Sequence, residues 1–141
     1  MNWVLKFQGI ISGQPVAMGR PRMTRIGKAY TPAKSRVYME SSVESLKNQW
    51  TGEPLMGPIK LVATFVSSRP QVKMTKHFSN GRIPKTTKPD IDNHVKMLLD
   101  IITRVGIWDD DKLVVSLSLE DWYCSKIEEP HVVFQIYTIQ E

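Results

Sequence analysis

The sequence predicts an α/β domain of the α+β kind: a small mixed β-sheet with two main helices packed on it. Three observations carry that expectation. Two segments step their apolar residues at helical spacing, Met39, Val43, Leu46 and Trp50 in one, Ile91, Val95, Leu98, Ile102 and Val105 in the other. Four segments, 2–11, 59–67, 113–123 and 131–139, are apolar or alternating over strand-like lengths. The chain has 141 residues, 41% of them hydrophobic, which suits one domain (1–141) with one core.

The elements follow in order. NWVLKFQGII at 2–11 reads as a strand. GQPVAMGRPRMTRIGKAYTP is rich in Gly, Pro and Arg, and Ile26-Gly27-Lys28 can turn a short hairpin. Thr31-Pro32 predicts a helix start, with Thr31 as N-cap and Pro32 at the first helical position. Gly52 and Pro54 stop that helix. IKLVATFVS at 59–67 is a strand. Residues 68–89 form a polar connection longer than a purely structural loop needs. It carries six Lys/Arg and no acid, which predicts a loop that orders on a phosphate backbone. The second helix spans about 91–105 and ends at Gly106. LVVSLSLEDWY sets Val115, Leu117 and Leu119 against Ser116, Ser118 and Glu120, a half-buried strand, and HVVFQIYTI is the last strand. His94 is expected on the surface of the second helix. Trp108 is expected in the core or at its rim.

Charge divides the chain in two. Residues 1–89 hold 15 Lys/Arg against 3 Glu and no Asp, a net +12; residues 90–141 hold 4 against 11, a net −7. Six of the seven aspartates lie between 90 and 111. A basic half of this size points to polyanions, nucleic acid first among them, with a separate acidic spot. One cysteine, Cys124, excludes an internal disulfide. MNWVLKFQGI lacks the apolar core of a signal peptide, and no apolar run approaches a membrane span. The expectation is a soluble, intracellular protein.

The chemistry gathers in KPDIDNHVKMLLD, residues 88–100. With the apolar stripe turned to the core, Asp92, Lys96 and Asp100 share another face, at about 100° per residue. Asp90 sits just before the helix. Each residue has a bland role available. One aspartate could cap the helix, Lys96 could pair with Asp92 one turn away, and Asp109–Asp111 could be a solvated turn. A cap needs only one carboxylate, however. If the turn folds back on the helix start, three or four carboxylates converge, and their repulsion calls for a cation. Mg²⁺ or Mn²⁺ takes such oxygens and supports attack of water on a phosphodiester. No Gly-x-Ser-x-Gly, Walker loop, Gly-x-Gly-x-x-Gly or zinc-type Cys/His spacing is present.

Asp90-x-Asp92-Asn93, Lys96, Gly106-Ile107-Trp108 and Asp110-Asp111 together resemble the signature of the RusA-type endodeoxyribonucleases, Holliday junction resolvases common in phages and prophages. GRPR at 19–22 and YTP at 30–32 also resemble that family, so the likeness spans roughly 10–120. The chain departs from the family in Lys112-Leu113, and Asp109 leaves the register of the acid pair open by one residue. The resemblance implies a homodimer that cuts four-way DNA junctions symmetrically with Mg²⁺ or Mn²⁺, in recombination and repair, in the cytoplasm of a bacterial or phage-infected cell. It implies Asp90, Asp92 and Asp111 as metal-binding catalytic carboxylates, Asp110 as a secondary acid and Lys96 as the catalytic lysine. The basic half supplies the expected DNA contacts: Arg20, Arg22, Arg25, Lys73, Lys76, Arg82, Lys85 and Lys88. Two other readings compete: a nuclease of the same fold acting on flaps or packaging intermediates, and a non-catalytic nucleic-acid-binding module.

Overall fold

The structure, a computed structural model, describes residues 2–19, 22–30 and 32–140, with Arg22 and Tyr30 as backbone only. It contains strands β1 (Asn2–Ser12), β2 (Arg22–Met23), β3 (Ala29–Tyr30), β4 (Ile59–Ser67), β5 (Ile83–Pro84), β6 (Val114–Tyr123) and β7 (His131–Gln140). Its helices are α1 (Ala33–Lys47) and α2 (Ile91–Val105), with 3₁₀ turns at Gln71–Lys73 and Asp111–Leu113. Five strands form one sheet in the order β1-β7-β4-β6-β5, and β2 and β3 form a separate ribbon. β4 and β6 are parallel; every other pairing is antiparallel. The mixed sheet and the two helices are those the sequence predicts.

Alternation in β4 explains the layers. Ile59, Leu61, Ala63 and Phe65 are buried with Val132, Phe134 and Ile136 of β7. Met39 and Leu46 of α1 and Val95, Met97, Leu98, Ile101 and Ile102 of α2 complete this core. The α2 stripe is therefore wider than the predicted one, because Met97 and Ile101 join it, while Ile91 and Val105 pack only at its margin. Gly9 is forced by packing: a Cβ there would run into the Phe134 ring. Gly106 ends α2 at φ +88, a conformation that favours glycine.

The start of α1 differs from expectation. Pro32 occupies the N-cap position in an extended conformation, and the helix begins at Ala33. Thr31 lies outside the described residues. Trp50 falls beyond the helix and still packs inward, edge-on to Phe7 with ring centroids 5.3 Å apart. The basic connection at 68–89 is not left waiting for a ligand. Arg69 is buried and donates to the backbone carbonyls of Lys73, Ser79 and Gly81. Arg82 grips Glu128 with a 2.6 Å bond, and β5 lies within the segment. Its ordering comes from its own cations.

His94 corrects another expectation. It is 1% exposed and stacks on Phe65 with centroids 5.3 Å apart. Neither ring nitrogen has a hydrogen-bond partner. Burial, helped by the charge of Lys85, pushes its pKa from 6.5 down to about 4. A neutral buried histidine must charge on unfolding, so its contribution is complete above pH 6.5 and is lost as pH falls toward 4. The loss should reach about 3 kcal/mol. Urea unfolding of wild type and His94→Gln between pH 7 and 4 checks this: the wild-type decline should be steeper by that amount. Equal slopes would remove His94 as the cause.

Candidate active site

β4, α2 and β6 form one crossover, which decides where the acids go. At one end of the sheet Phe65 of β4 meets His94 of α2, and Asp121 of β6 meets Lys85, whose Nζ donates to the carbonyl oxygen of Pro89. The start of α2 therefore lies at the C-terminal ends of β4 and β6. At the other end, Val114 pairs with Ile59, and Leu55 bonds the Ile107 carbonyl. The buried Trp108 donates to Thr103 Oγ1 at 2.7 Å and ties the Asp109–Asp111 turn to the end of α2. Fifteen residues of helix separate the two acidic groups, about 22 Å. The turn does not fold back onto Asp90 and Asp92 within one chain. Among the described residues no three His, Cys, Asp or Glu side chains gather.

The bland roles can now be checked one at a time. Asp90 holds the N-cap position of α2, yet its side chain makes no capping hydrogen bond. Asn93 and His94 instead donate to its backbone carbonyl. Asp92 and Lys96 are both exposed, and no ion pair joins them among the described residues. Asp110 does cap: its Oδ1 accepts from Lys112 N at 2.8 Å. Asp111 is exposed and has no such task. Asp100 is occupied with Arg104 at 3.7 Å. Among the described residues Asp90, Asp92, Asp109 and Asp111 are thus the aspartates whose side chains have neither an ion pair nor a hydrogen bond, Asp109 being exposed like the others.

The cations sort just as sharply. Arg20 lies outside the described residues, and only the backbone of Arg22 is described. Arg25, Lys76 and Lys88 are exposed. Lys73 lies over the Tyr123 ring, 5.0 Å from its centroid. Arg82 is committed to Glu128. Lys85 departs most from its expected place on DNA. Its side chain is 3% exposed, lies 3.5 Å from Asp121 and donates to the carbonyls of Thr87 and Pro89 at 2.7 Å each. No donor is left for phosphate. The Thr87 hydroxyl shares a 2.5 Å hydrogen bond with Tyr123 Oη. Lys85, Asp121, Thr87 and Tyr123 together fasten the segment that delivers Asp90.

This network was not foreseen, although a signal existed. Asp121 lies on the same alternation of β6 as Leu117, Leu119 and Tyr123. A carboxylate on that inward parity needs a buried cation, and burial does push the Asp121 carboxyl up, opposed by the Lys85 charge. The sorting has a consequence for binding. Lys88→Ala should weaken binding to any DNA and lower the slope of log affinity against log salt by about 1. Arg82→Ala should leave that slope unchanged. Fluorescence anisotropy across a salt series measures both, and a changed slope in Arg82→Ala would refute the sorting.

Oxygen donors without cationic partners suit Mg²⁺ or Mn²⁺. Each end of α2 offers such carboxylates, and either end alone falls short of three among the described residues. Carboxylates able to hold a divalent cation, in a chain whose residues 1–89 carry a net +12, suit a protein that handles phosphate backbones. The comparisons narrow it. The family model described as Endodeoxyribonuclease RusA matches residues 12–137. The chain belongs to this family of RusA endodeoxyribonucleases, nucleases that resolve Holliday junctions. It is also 34% identical over 135 residues to the uncharacterised protein YqaN of Bacillus subtilis (strain 168), spanning 89% of this chain and 92% of that one. No helix among the described residues is long and apolar enough to cross a membrane.

Proposed function

We propose that this chain hydrolyses phosphodiesters of four-way DNA junctions with Mg²⁺ or Mn²⁺, acting as a homodimer that nicks two strands symmetrically in the cytoplasm. Membership of the RusA family supports the nuclease reading. The observation that carries the site is that Asp90 and Asp92 stand exposed at the start of α2, with neither a side-chain capping bond nor an ion pair among the described residues. Exposed carboxylates kept free of partners are available to a cation.

Asp90 and Asp92 would hold the metal at the start of α2; Asp111, at the other end of the helix about 22 Å away, would join them only across the homodimer, with Asp110 orienting its turn by the bond to Lys112. An ion held there would supply a water of lowered pKa and offset charge on the phosphate. Lys96, exposed and one helical turn from Asp92, would orient that water or meet charge developing on the phosphate. Arg25, Lys76 and Lys88 hold the backbone without reading sequence. Lys85 acts through structure, by holding the 87–89 segment in place.

The test compares four-way, three-way and linear duplex DNA, each with Mg²⁺ and with EDTA. Cutting is expected on the four-way junction with Mg²⁺ and nowhere with EDTA. Preferential cutting of flaps or three-way DNA would move the substrate assignment. Binding with no cutting at all would make the chain a binding module. Asp111→Asn should bind the junction as wild type does and fail to cut it. Cutting at the wild-type rate would remove Asp111 from the site.

A further inference from the structure

The β2–β3 ribbon belongs to no layer of the fold. It lies outside the main sheet, and residues 23–29 within it are all exposed. Its turn closes on itself. Gly27 N donates to the Thr24 carbonyl at 3.0 Å, Thr24 N to the Lys28 carbonyl at 2.9 Å, and Lys28 N to Thr24 Oγ1 at 3.0 Å. Gly27 takes φ +80 to complete the turn. The shape therefore needs no support from the core. Turns of this kind usually show polar side chains to water. This one shows Ile26, 88% exposed, at its tip, with Met23, 64% exposed, on the strand leading to it. Arg25 precedes Ile26 and Lys28 follows it by two residues, and both are exposed.

The base of the ribbon is fixed, and it is fixed beside the acids. Met18 N donates to the Asn93 carbonyl at 3.2 Å, on the first turn of α2 next to Asp92. Gly19 N donates to Ser35 Oγ at 3.0 Å, and that hydroxyl donates to the Ala17 carbonyl at 3.3 Å. Packing is tight here: a Cβ on Gly19 would meet Ser35 Oγ at 2.9 Å and the Pro32 ring at 3.0 Å. Ala17, Gly19, Pro32 and Pro89 line one cleft of about 600 Å³, and Pro89 immediately precedes Asp90. Ile26 follows Met18 by eight residues, so its tip stands at most about 29 Å from Met18. That is within one turn of duplex DNA, about 34 Å. A phosphate strand laid on Asp90 and Asp92 has an apolar tip, set between two cations, within its next turn.

Such a tip fits a break in base stacking. Isoleucine and methionine are among the side chains that enter base steps as wedges. In continuous duplex the wedge must unstack a step, which opposes entry. At a branch point the strands exchange between helices, and bases there separate at lower cost. Cations on either side of the wedge meet the phosphates that flank the opened step. We propose that the β2–β3 ribbon senses the branch: Ile26 enters the DNA at the branch point, with Arg25 and Lys28 on the flanking phosphates, and so sets the preference for branched over linear DNA. The wedge rests on the branched-DNA reading of the chain; which acids cut does not enter. Exposure alone would not single out Ile26. Ile127 is 97% exposed, but Glu128 and Glu129 follow it directly, where phosphate is repelled. Ile26 differs in its cations and in its anchorage on α2.

The experiment compares wild type, Ile26→Ser, Ile26→Leu and Ile127→Ser. Binding is read in EDTA by anisotropy on a four-way junction and on a linear duplex. The junction carries, at its branch point, an adenine analogue whose fluorescence rises when it unstacks. Wild type should raise that fluorescence on binding, and Ile26→Ser should not. Ile26→Ser should also bind the junction about 10-fold more weakly, the loss of one buried isoleucine, and bind the duplex as wild type does. Ile26→Leu should restore both signals, and Ile127→Ser should change neither. An equal loss on junction and duplex makes Ile26 a general backbone contact and overturns the wedge. So does an Ile26→Ser variant with wild-type junction affinity and fluorescence. Sedimentation of the same proteins covers the other use of an apolar tip: if Ile26→Ser alters only the association of copies, the tip is a protein contact and the wedge falls. A wild type that neither prefers nor cuts branched DNA overturns the branched-DNA reading and the wedge with it. A wild type that cuts junctions, matched in every signal by Ile26→Ser, overturns the wedge alone.

Discussion

Asp92→Asn should lose cutting by about 10²–10³-fold, the cost of removing one preorganised group from a transition state, while the protein folds as before. The separation of effects follows from how little Asp92 does for the fold. It is exposed, pairs with no cation among the described residues, and its only local asset is its place in the first turn of α2. A carboxylate there gains about 0.3–1 kcal/mol from the helix dipole. Asparagine gives up that amount and also relieves repulsion from Asp90, so the unfolding midpoint should hardly move. Affinity for a four-way junction should stay or rise, because a negative charge leaves the DNA-facing surface. Single-turnover cleavage, urea unfolding and anisotropy on the same preparation check the three parts. A variant that loses activity in proportion to its stability would make Asp92 a structural residue.

The elements that could be read from sequence are those whose signal is local. Stripes at helical spacing placed α1 and α2, apolar or alternating runs of strand length placed β1, β4, β6 and β7, and Gly106 marked the end of α2 because its backbone conformation favours glycine. The short strand β5 escaped, since two residues against Tyr123 and Trp122 leave no pattern to see. The site was legible in composition and not in arrangement. KPDIDNHVKMLLD announces its free acids, and Asp110 and Asp111 announce theirs, but their separation is set by the direction of α2 between two parallel strands. That direction is a tertiary fact. The cations failed differently. Lys85, Arg82 and Lys88 look alike along the chain, and only packing against Asp121 and Glu128 shows that two of them are internal fasteners.

Lys85→Met is the counterpart of Asp92→Asn, a large loss of stability from a residue that reads in sequence as a DNA contact. Methionine keeps the apolar stem and removes the ammonium. It leaves a buried Asp121 carboxylate with no cation and one oxygen already without a hydrogen-bond partner. Breaking a buried pair from one side costs about 3–5 kcal/mol, and two carbonyls, of Thr87 and Pro89, lose their donor as well. The loss must depend on pH, with a definite sign. Burial already raises the Asp121 carboxyl, and the Lys85 charge opposes that rise; without Lys85 it climbs further. A raised carboxyl penalises the fold above its folded-state pKa, and the penalty fades as pH falls and the acid protonates. The deficit against wild type should therefore be largest near pH 7 and shrink toward pH 4. Adding Asp121→Asn should recover part of it at neutral pH by removing the orphaned charge. Urea unfolding of the three proteins at pH 7 and pH 4.5 measures this, and a deficit that is small or independent of pH would show that the pair is not the fastener. Junction affinity at temperatures where the variant is folded should match wild type, because Lys85 offers phosphate nothing to begin with.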